Sequence, residues 1–445
     1  MSVIKQQLID IFNSALSAAD PYDAVNKTLK IEGDKLYAGK TTFNLSDFNR
    51  IIVIGAGKGT APMAQAVEDI LRDRIDDGVI IVKYGHTRPL QKIRQVEASH
   101  PLPDEAGMKG TEEVIRLLEK ADEKTIVICL LSGGGSALLV SPADGITLKD
   151  KQVATDLLLK SGATIDELNA VRKHLSKVKG GRLAGIAYPA TVISMILSDV
   201  INDRLDVIAS GPTVPDDSTF NDALKIVTKL IEKHRLKGKF PEKVIDYLWD
   251  GVNGMNQEAP KKGDPCFGNT SSIIVGSLRQ ALHAARSAAN KLGFDTEIVT
   301  DKLQGEAREA AKYLAEIALL VKKSHKGIRP RCLLSGGETV VTVKGDGLGG
   351  RNQELALAFA LEIEGTDGIT MLSAGTDGTD GPTDAAGAVV DGETAAFARK
   401  LGVDPDKYLE NNDSYNFFKK IDRGHHLITG PTGTNVMDIQ IITVE

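Results

Sequence analysis

Short apolar runs alternate along this chain with longer segments in which apolar residues recur every three or four positions. A short apolar run bounded by turn residues is typical of a buried strand, whereas the longer spacing predicts an amphipathic helix. Strands that alternate with helices form βα units, so the pattern predicts an α/β fold with largely parallel sheet. The predicted strands are Ile51–Ile54, Val79–Val82, Ile126–Leu131, Val192–Leu197, Ile273–Val275, Cys332–Leu334, Val340–Val343, Ile369–Leu372 and Ile439–Val444.

The same pattern suggests where one helix begins and where the chain divides. A helix should follow Thr164, because Glu167, three residues later, completes a capping box with it. Further along, the pattern weakens in a stretch rich in glycine and proline that starts just before residue 241. Domain boundaries usually fall in such stretches. We therefore predict two α/β domains, one over residues 1–240 and one over residues 241–445.

Composition and charge narrow the class of protein. The net charge of −6 and the lack of a basic run argue against general nucleic-acid binding. No segment reaches the ~20 apolar residues of a membrane-spanning helix, and the first residues do not resemble a signal peptide. Cys129, Cys266 and Cys332 lack the spacing of a metal site, so we expect buried thiols. We expect a soluble cytoplasmic protein with small-molecule ligands, and a homodimer as the default oligomer.

The first predicted strand, Ile51–Ile54, leads into a turn with several glycines, and Lys58 lies among them. Gly55 and Gly57 allow a sharp turn in which backbone N–H groups stay exposed. A strand, a glycine turn and a helix N-terminus together attract anions, because the N–H groups and the helix dipole both favour negative charge. The turn therefore predicts a phosphate or carboxylate site; the alternative is a tight βα turn with a solvated lysine.

Two common nucleotide-binding motifs do not fit this turn. A P-loop needs a glycine five residues before its Gly-Lys pair, and that position is Ile52. A dinucleotide fingerprint needs a third glycine or alanine where this chain has Thr60. The next apolar run ends in Lys83 instead of the acid that would bind an NAD ribose. NAD is therefore disfavoured, whereas a 2′-phosphorylated cofactor stays open.

The ends of two later strands carry further candidate residues. After Ile126–Leu131 comes a glycine-rich segment, which predicts a second phosphate site or an ordinary turn before a helix. Its residues are Ser132, Gly133, Gly134, Gly135 and Ser136. After Val192–Leu197 comes Asp199, whose carboxylate could bind a metal, act as a general base or cap a helix.

The helix that follows Thr164 has a polar face as well as an apolar one. Asn169, Arg172 and Lys173 lie on this polar face at helical spacing. Fork-shaped and cationic donors gathered in this way could bind an acidic substrate. The alternative is that they form an ordinary solvated surface opposite the core.

The second half of the chain has its own glycine-rich turn and a series of acidic residues. Gly349 and Gly350 precede Arg351, which lies at the N-terminus of a predicted helix, where a guanidinium suits a phosphoryl group in transfer. A plain glycine loop would show the same pattern. Asp377 belongs to acids spaced by three and four, unlike an EF-hand. These acids could place one or two carboxylates near Mg²⁺, or form Asx turns.

Taken together, these segments resemble the type-II glycerate kinase family, in the expected order and over nearly the whole chain. The resemblance rests on many short strings and not on any single one. The matching strings are GAGKG at 55–59, SHPLPD at 99–104, LSGGGSALL at 131–139, VRKHLSKVKGGRLA at 171–184, LSDV at 197–200, IASGPT at 208–213, GGRNQELAL at 349–357 and GTDGTDGPTDAAG at 375–387.

The resemblance implies an N-terminal Rossmann-like domain with a mainly parallel sheet and a C-terminal MOFRL domain with a mixed sheet. It also implies ATP- and Mg²⁺-dependent phosphorylation of D-glycerate at the 2-hydroxyl, giving 2-phosphoglycerate. The family's catalytic lysine, aspartate and arginine fall on Lys58, Asp199 and Arg351. Asp199 and Asp377 are the expected Mg²⁺ ligands, and the glycine-rich turns are expected to bind phosphate. If Lys58 and Arg351 converge, the active site lies in a cleft between the domains.

Two functions other than a kinase would also use an α/β fold of this kind. An NAD(P)H-dependent hydroxypyruvate reductase needs the fingerprint that is broken at Thr60 and a proton donor, for which His100 is a candidate. A non-catalytic metabolite-binding protein would keep the fold without the chemistry. The joint presence of Lys58, Asp199 and Arg351 argues against that second alternative. The sequence therefore predicts a glycerate 2-kinase.

Overall fold

A computed structural model describes residues 2–236, 238–324 and 327–445 of the chain. It divides into two compact units. We call Pro21–Val275 the central unit, and Met1–Asp20 together with Gly276–Glu445 the terminal unit. The division does not coincide with the predicted boundary after residue 240. Residues beyond that point remain in the central unit because a helix there buries Val244 and Leu248 in its core.

The terminal unit begins with α1 (Val3–Ala18) and resumes after the central unit is complete. The elements of the central unit are α2 (Pro21–Thr28), β1 (Leu29–Glu32), β2 (Lys35–Ala38), β3 (Thr41–Asn44), β4 (Arg50–Ala56), α3 (Thr60–Leu71), β5 (Asp77–Lys83), β6 (Arg94–Ala98), α4 (Glu105–Leu118), β7 (Thr125–Leu131), α5 (Gly135–Leu138), α6 (Leu148–Lys160), α7 (Ile165–His174), α8 (Arg182–Ala187), β8 (Thr191–Leu197), α9 (Phe220–His234), α10 (Glu242–Val252) and β9 (Thr270–Gly276). Those of the terminal unit continue with α11 (Leu278–Lys291), β10 (Asp295–Leu303), α12 (Ala307–Ser324), β11 (Arg331–Gly337), α13 (Arg351–Glu362), β12 (Ile369–Gly375), β13 (Gly387–Asp391), α14 (Thr394–Lys400), α15 (Pro405–Glu410), α16 (Ser414–Ile421), β14 (His426–Leu427) and β15 (Asp438–Val444).

The main sheet of the central unit has the strand order β6-β5-β4-β7-β8-β9. The pairings of β4 with β5 and β7, of β5 with β6 and of β7 with β8 are all parallel. Chain order reverses between β4 and β7, and open α/β sheets bind ligands at the carboxyl ends of strands beside such a switch point. The register pairs Ala56 with Leu131 and Leu131 with Ile196. The turns after β4, β7 and β8 therefore emerge at one edge of the sheet.

The sheet of the terminal unit has the order β10-β11-β15-β12-β13-β14. Only β10 and β11 are parallel among its described pairings, and the remaining pairings are antiparallel. The two-part α/β fold, with one mainly parallel and one mixed sheet, is therefore confirmed. The strand predicted at Val340–Val343 is wrong. Apart from one bridge between Glu306 and Val340, this run pairs with no strand in the described part of the chain, and Val343 is exposed.

Local signals in the sequence were correct where the chain is regular. Thr164 and Glu167 form the predicted capping box at the start of α7, and this helix ends at His174. The three cysteines are buried and unbridged, as expected, and burial raises the pKa of Cys129 to about 12. Within the described residues, no helix has both the length and the apolar character needed to cross a membrane.

Candidate active site

The turn that carries Lys58 is fastened to the loop after β7. The N–H of Lys58 donates to the carbonyl of Gly133 at 2.8 Å, and the N–H of Gly59 donates to Ser132 Oγ at 3.0 Å. Gly57 has a φ of +146°, and a Cβ added there would lie 2.0 Å from Ser132 Oγ. Only glycine permits this backbone and this close approach. The half-buried Lys58 is therefore held in a defined place at the switch point of the sheet. The prediction that the N–H groups of this turn stay exposed is wrong, because those of Gly57, Lys58 and Gly59 are used to fasten the turn to its neighbours.

The loop after β7 contacts the Lys58 turn at Ser132 and at Gly134. Ser132 is buried, and its Oγ also lies 3.1 Å from Thr60 Oγ1, so this hydroxyl braces the Lys58 turn. Gly134 has a φ of +83°, and a Cβ on it would lie 3.4 Å from Lys58 Cγ. The side chain of Lys58 therefore lies along this loop. Gly55 has a different role: it is buried within β4, where a Cβ would lie 2.4 Å from the carbonyl of Leu130.

His100 lies against the same loop. A Cβ on Gly134 would be 2.9 Å from its Cδ2 atom. Burial and then the positive charges of Lys58 and Lys83 together lower the pKa of His100 to about 4. The imidazole is therefore neutral at physiological pH. A neutral imidazole with so low a pKa is a poor general acid.

Asp199 follows β8 at the same edge of the sheet. Leu197, two residues earlier, contacts the Lys58 turn, because a Cβ on Gly59 would lie 3.2 Å from Leu197 Cδ2. Asp199 is half-buried. The segment after it contains Asn202 and Asp203 in the left-handed region, at φ values of 65° and 52°. Such backbone is uncommon for residues other than glycine and clusters at functional sites.

A chain of polar contacts leads from the loop after β7 to α7. Ser136 Oγ lies 2.6 Å from Ser210 Oγ, which donates to Asn169 Oδ1 at 3.3 Å. Ala209 and Ser210 both have positive φ, at 51° and 60°. Asn169 is buried, and its Nδ2 atom has no hydrogen-bond partner. A buried donor without a partner is costly, so this amide marks a place where a ligand oxygen fits.

The interpretation of the polar face of α7 as a solvated surface is wrong for two of its three residues. Asn169 and Lys173 are buried, and only Arg172 is half-buried. Lys173 Nζ lies 3.2 Å from Asp216 and 4.0 Å from Asp206. Its charge is therefore neutralised inside the protein, which sets it apart from Arg172.

Replacement of Lys173 by methionine is expected to lower the free energy of unfolding by about 3–5 kcal/mol, because Asp216 would be left buried without its partner. Urea denaturation followed by circular dichroism measures this change. Lys177→Met is the matched control, since Lys177 is exposed and pairs with exposed Asp144, and its change should be under about 1 kcal/mol. Equal stabilities for the two variants would contradict the assignment of Lys173 to the core.

In the terminal unit, Arg351 is the first residue of α13. Its guanidinium donates to both carboxylate oxygens of Asp438, at 2.6 and 3.0 Å, and to Glu338 at 2.7 Å. Burial raises the pKa of Asp438 to about 6, although Arg351 opposes the rise. Asp438 is thus ionised at neutral pH, and the two-point contact fixes the orientation of the guanidinium.

The acidic series and the glycines near Arg351 have structural roles in the described contacts. Asp380 accepts hydrogen bonds from the backbone N–H groups of Asn352 and Gln353, at 3.0 and 2.9 Å, and so caps α13. Asp377 Oδ1 accepts from the N–H of Thr379 at 3.2 Å, which is an Asx turn.

Gly349 and Gly350 allow close packing at the start of α13. Added Cβ atoms would lie 2.3 Å from Ser414 Oγ and 2.3 Å from Asp380 Cγ, respectively. A larger residue at either position would therefore displace the loop that leads to Arg351 or the carboxylate that caps its helix.

The chain is similar to known families and proteins over nearly its whole length. Residues 7–249 match a family described as a domain of unknown function (DUF4147), and residues 331–438 match the MOFRL family. The chain is 45% identical to a D-glycerate 2-kinase of Thermotoga maritima over 440 residues, which covers 98% of each chain. It is 42% identical to a glycerate 2-kinase of Pyrococcus horikoshii, covering 99% of this chain and 97% of that one. A crystal structure of a glycerate kinase from Thermotoga maritima superposes with a TM-score of 0.86 at 44% identity, covering 99% of both chains.

Proposed function

The chain belongs to the glycerate kinase family, and from that premise we infer that it transfers the γ-phosphoryl group of ATP to the 2-hydroxyl of D-glycerate. The products are 2-phosphoglycerate and ADP. The observation that carries this inference is the similarity to a D-glycerate 2-kinase, at 45% identity over 98% of each chain. The cationic glycine turn at the switch point of the central sheet supports it, because such a turn suits phosphate groups.

Phosphoryl transfer requires positioning and charge neutralisation more than covalent chemistry. We assign to Lys58 the neutralisation of charge on the transferring phosphoryl group. Arg351 has its guanidinium held by Asp438, and we assign to it a second positive contact with the reacting groups. Asp199 is assigned as the acceptor of the 2-hydroxyl proton. Each of these three roles is a proposal that substitution can test one residue at a time.

Mg²⁺ forms part of this proposal. Within the described ranges, no group of three or more His, Cys, Asp or Glu side chains is arranged to hold a metal ion. The side chains present still fit Mg²⁺ delivered with ATP, because this ion is usually held by substrate phosphates and one or two carboxylates. Asp377 is one candidate carboxylate for the ion, and Asp199 is the other if it binds Mg²⁺ instead of accepting the 2-hydroxyl proton. Bound there, Mg²⁺ would neutralise phosphate charge.

A reductase of hydroxypyruvate fits the site poorly. The pKa of His100 is lowered to about 4 by burial and by neighbouring cations, which makes this residue a poor acid for a carbonyl reduction. Thr60 is buried at the start of α3, and its hydroxyl contacts Ser132 at the position where a dinucleotide fingerprint requires glycine or alanine. A kinase therefore fits these residues better than a reductase does.

Purified protein should form ADP in the presence of D-glycerate and Mg-ATP, and NMR should identify 2-phosphoglycerate as the product. The matched arm offers hydroxypyruvate with NADPH or NADH and follows absorbance at the nicotinamide wavelength. Incubation with Mg-ATP alone controls for ATP hydrolysis. Oxidation of the nicotinamide without ADP formation would overturn the kinase assignment. If 3-phosphoglycerate were the sole product, the assignment of transfer to the 2-hydroxyl would be wrong.

We also propose that the enzyme works in the cytoplasm as a homodimer. The three buried, unbridged cysteines suit a reducing compartment. The dimer is the commonest arrangement among soluble homo-oligomers. Light scattering coupled to size-exclusion chromatography measures the oligomeric state directly.

A further inference from the structure

Two buried lysines of the central unit have no acidic partner among the residues that the structure describes, and the mechanism above does not use them. Lys179 is fully buried, and its ammonium donates to the carbonyls of Ser136 at 2.8 Å and Leu139 at 3.2 Å. Lys151, also buried, donates to the carbonyl of Leu175 at 3.0 Å. In the described part of the chain neither lysine pairs with a carboxylate. An ammonium has three donors, so both retain unused hydrogen-bonding capacity.

Arg172 completes a cluster of three cations, which we call the cation pocket (Lys151, Arg172 and Lys179). Burial lowers the pKa of Lys151 to about 7, and the charge of Arg172 acts in the same direction. The pKa of Lys179 is lowered by burial and then by the charges of Lys151 and Arg172. Arg172 itself forms no ion pair with any described carboxylate. Buried charges of one sign are costly unless an opposite charge joins them, so the pocket is matched to an anion.

The surroundings of the pocket indicate which part of an anion enters it. The unpartnered Nδ2 atom of Asn169 lies on α7 one turn before Arg172. The other side chain of this set, Lys173, is already neutralised by Asp216. A planar guanidinium beside an amide donor suits the planar oxygen pair of a carboxylate. The glycine turn at Lys58 suits phosphate better through its lysine and the helix N-terminus that follows it, because the N–H groups of Gly57, Lys58 and Gly59 donate within the protein.

We propose that Arg172 and Asn169 bind the carboxylate of the substrate, and that Lys151 and Lys179 are positioning residues behind it whose positive charge the bound carboxylate stabilises. The proposal rests on the kinase function, because D-glycerate provides the carboxylate. In this proposal the cation pocket makes the enzyme prefer a substrate with a carboxylate over a neutral analogue such as an ester. The carbonyl contacts of Lys179 connect this pocket to the loop after β7, since Ser136 belongs to that loop.

The test compares D-glycerate with its methyl ester at saturating Mg-ATP in four proteins. Arg172→Gln should raise KM for D-glycerate at least ~10-fold, the scale for a lost charge-assisted contact. The same variant should keep KM for ATP within about twofold of the native value, because Arg172 is not proposed to contact the nucleotide. Lys179→Met should act in the same direction. Lys177→Gln is the control, because Lys177 is an exposed lysine of the same segment. In both pocket variants the ratio of KM for the methyl ester to KM for D-glycerate should fall towards one.

A binding measurement separates failure of this proposal from failure of the kinase assignment. In thermal denaturation without ATP, D-glycerate should raise Tm of the native protein more than the methyl ester does, and Arg172→Gln should abolish that difference. Arg172 has no ion pair to lose, so this variant keeps the test valid if Lys179→Met does not fold. Retention of the acid preference in Arg172→Gln would overturn the proposal. So would a rise in KM for ATP alone, which would assign the pocket to the nucleotide phosphates.

Discussion

Replacement of Lys58 by methionine is expected to lower kcat at least ~100-fold, the scale for removing one contact that stabilises developing charge. The reason is the position of Lys58: its backbone N–H is hydrogen-bonded to the carbonyl of Gly133, and its side chain lies along the loop after β7. Methionine keeps the length of the side chain and removes only the charge. Initial-rate measurements over a range of D-glycerate and ATP concentrations separate the effect on kcat from that on KM.

Lys83→Met is the matched control for this experiment. Lys83 ends β5 on the other side of β4 from β7, and its charge also reaches His100. The control should retain kcat within a few-fold. In the Lys58 variant, NMR titration should show the pKa of His100 above its native value of about 4, because one of the charges that lowers it is gone. If kcat stays near the native value while the pKa of His100 rises, Lys58 is only a neighbour of the site.

Replacement of Arg351 by alanine is expected to lower kcat about 100- to 1000-fold and to lower Tm as well. Stability should fall because the buried carboxylate of Asp438 loses both of its contacts with the guanidinium. Arg308→Ala is a close control. Arg308 pairs with buried Glu354 at 2.7 Å in the same unit, and Glu354 belongs to the same helix as Arg351.

The two arginine variants should show similar losses of Tm but different losses of turnover. Only Arg351→Ala should lose kcat by orders of magnitude, and added guanidinium chloride at low millimolar concentration should restore part of it. Differential scanning calorimetry and initial rates measure the two effects on the same samples. A comparable loss of kcat in Arg308→Ala would show that the loss follows from destabilisation of the unit and not from chemistry at Arg351.

The sequence predicted the parts of the fold that depend on neighbouring residues. The apolar runs at Ile126–Leu131 and Val192–Leu197 were identified as strands because a continuous buried strand has few other interpretations. Val340–Val343 is also rich in β-branched residues and is not a strand. Strand formation there would need a neighbouring strand to accept its backbone groups, and pairing of that kind is set by the fold as a whole.

Contacts between distant parts of the chain could not be predicted. The partner of Arg351, Asp438, lies 87 positions away. Its only sequence signal is an acidic residue directly before the apolar run Ile439–Val444. The burial of Lys173 likewise depends on Asp216, 43 positions later. Helical spacing showed that the polar residues of α7 share a face, but the element packed against that face decides whether it is solvated.

The position of α1 in the terminal unit has a consequence for the order in which a ribosome completes this protein. The buried face of α1, which includes Leu8, Ile11 and Phe12, packs against α11, whose first residue is Leu278. During synthesis the N-terminal helix must therefore wait, with its apolar face unpartnered, while the whole central unit emerges. The central unit, by contrast, is continuous and can fold as soon as Val275 has left the exit tunnel. Although α1 is made before the central unit, it is thus among the last elements to reach its native partner, and chaperones that bind apolar helices would find their target there.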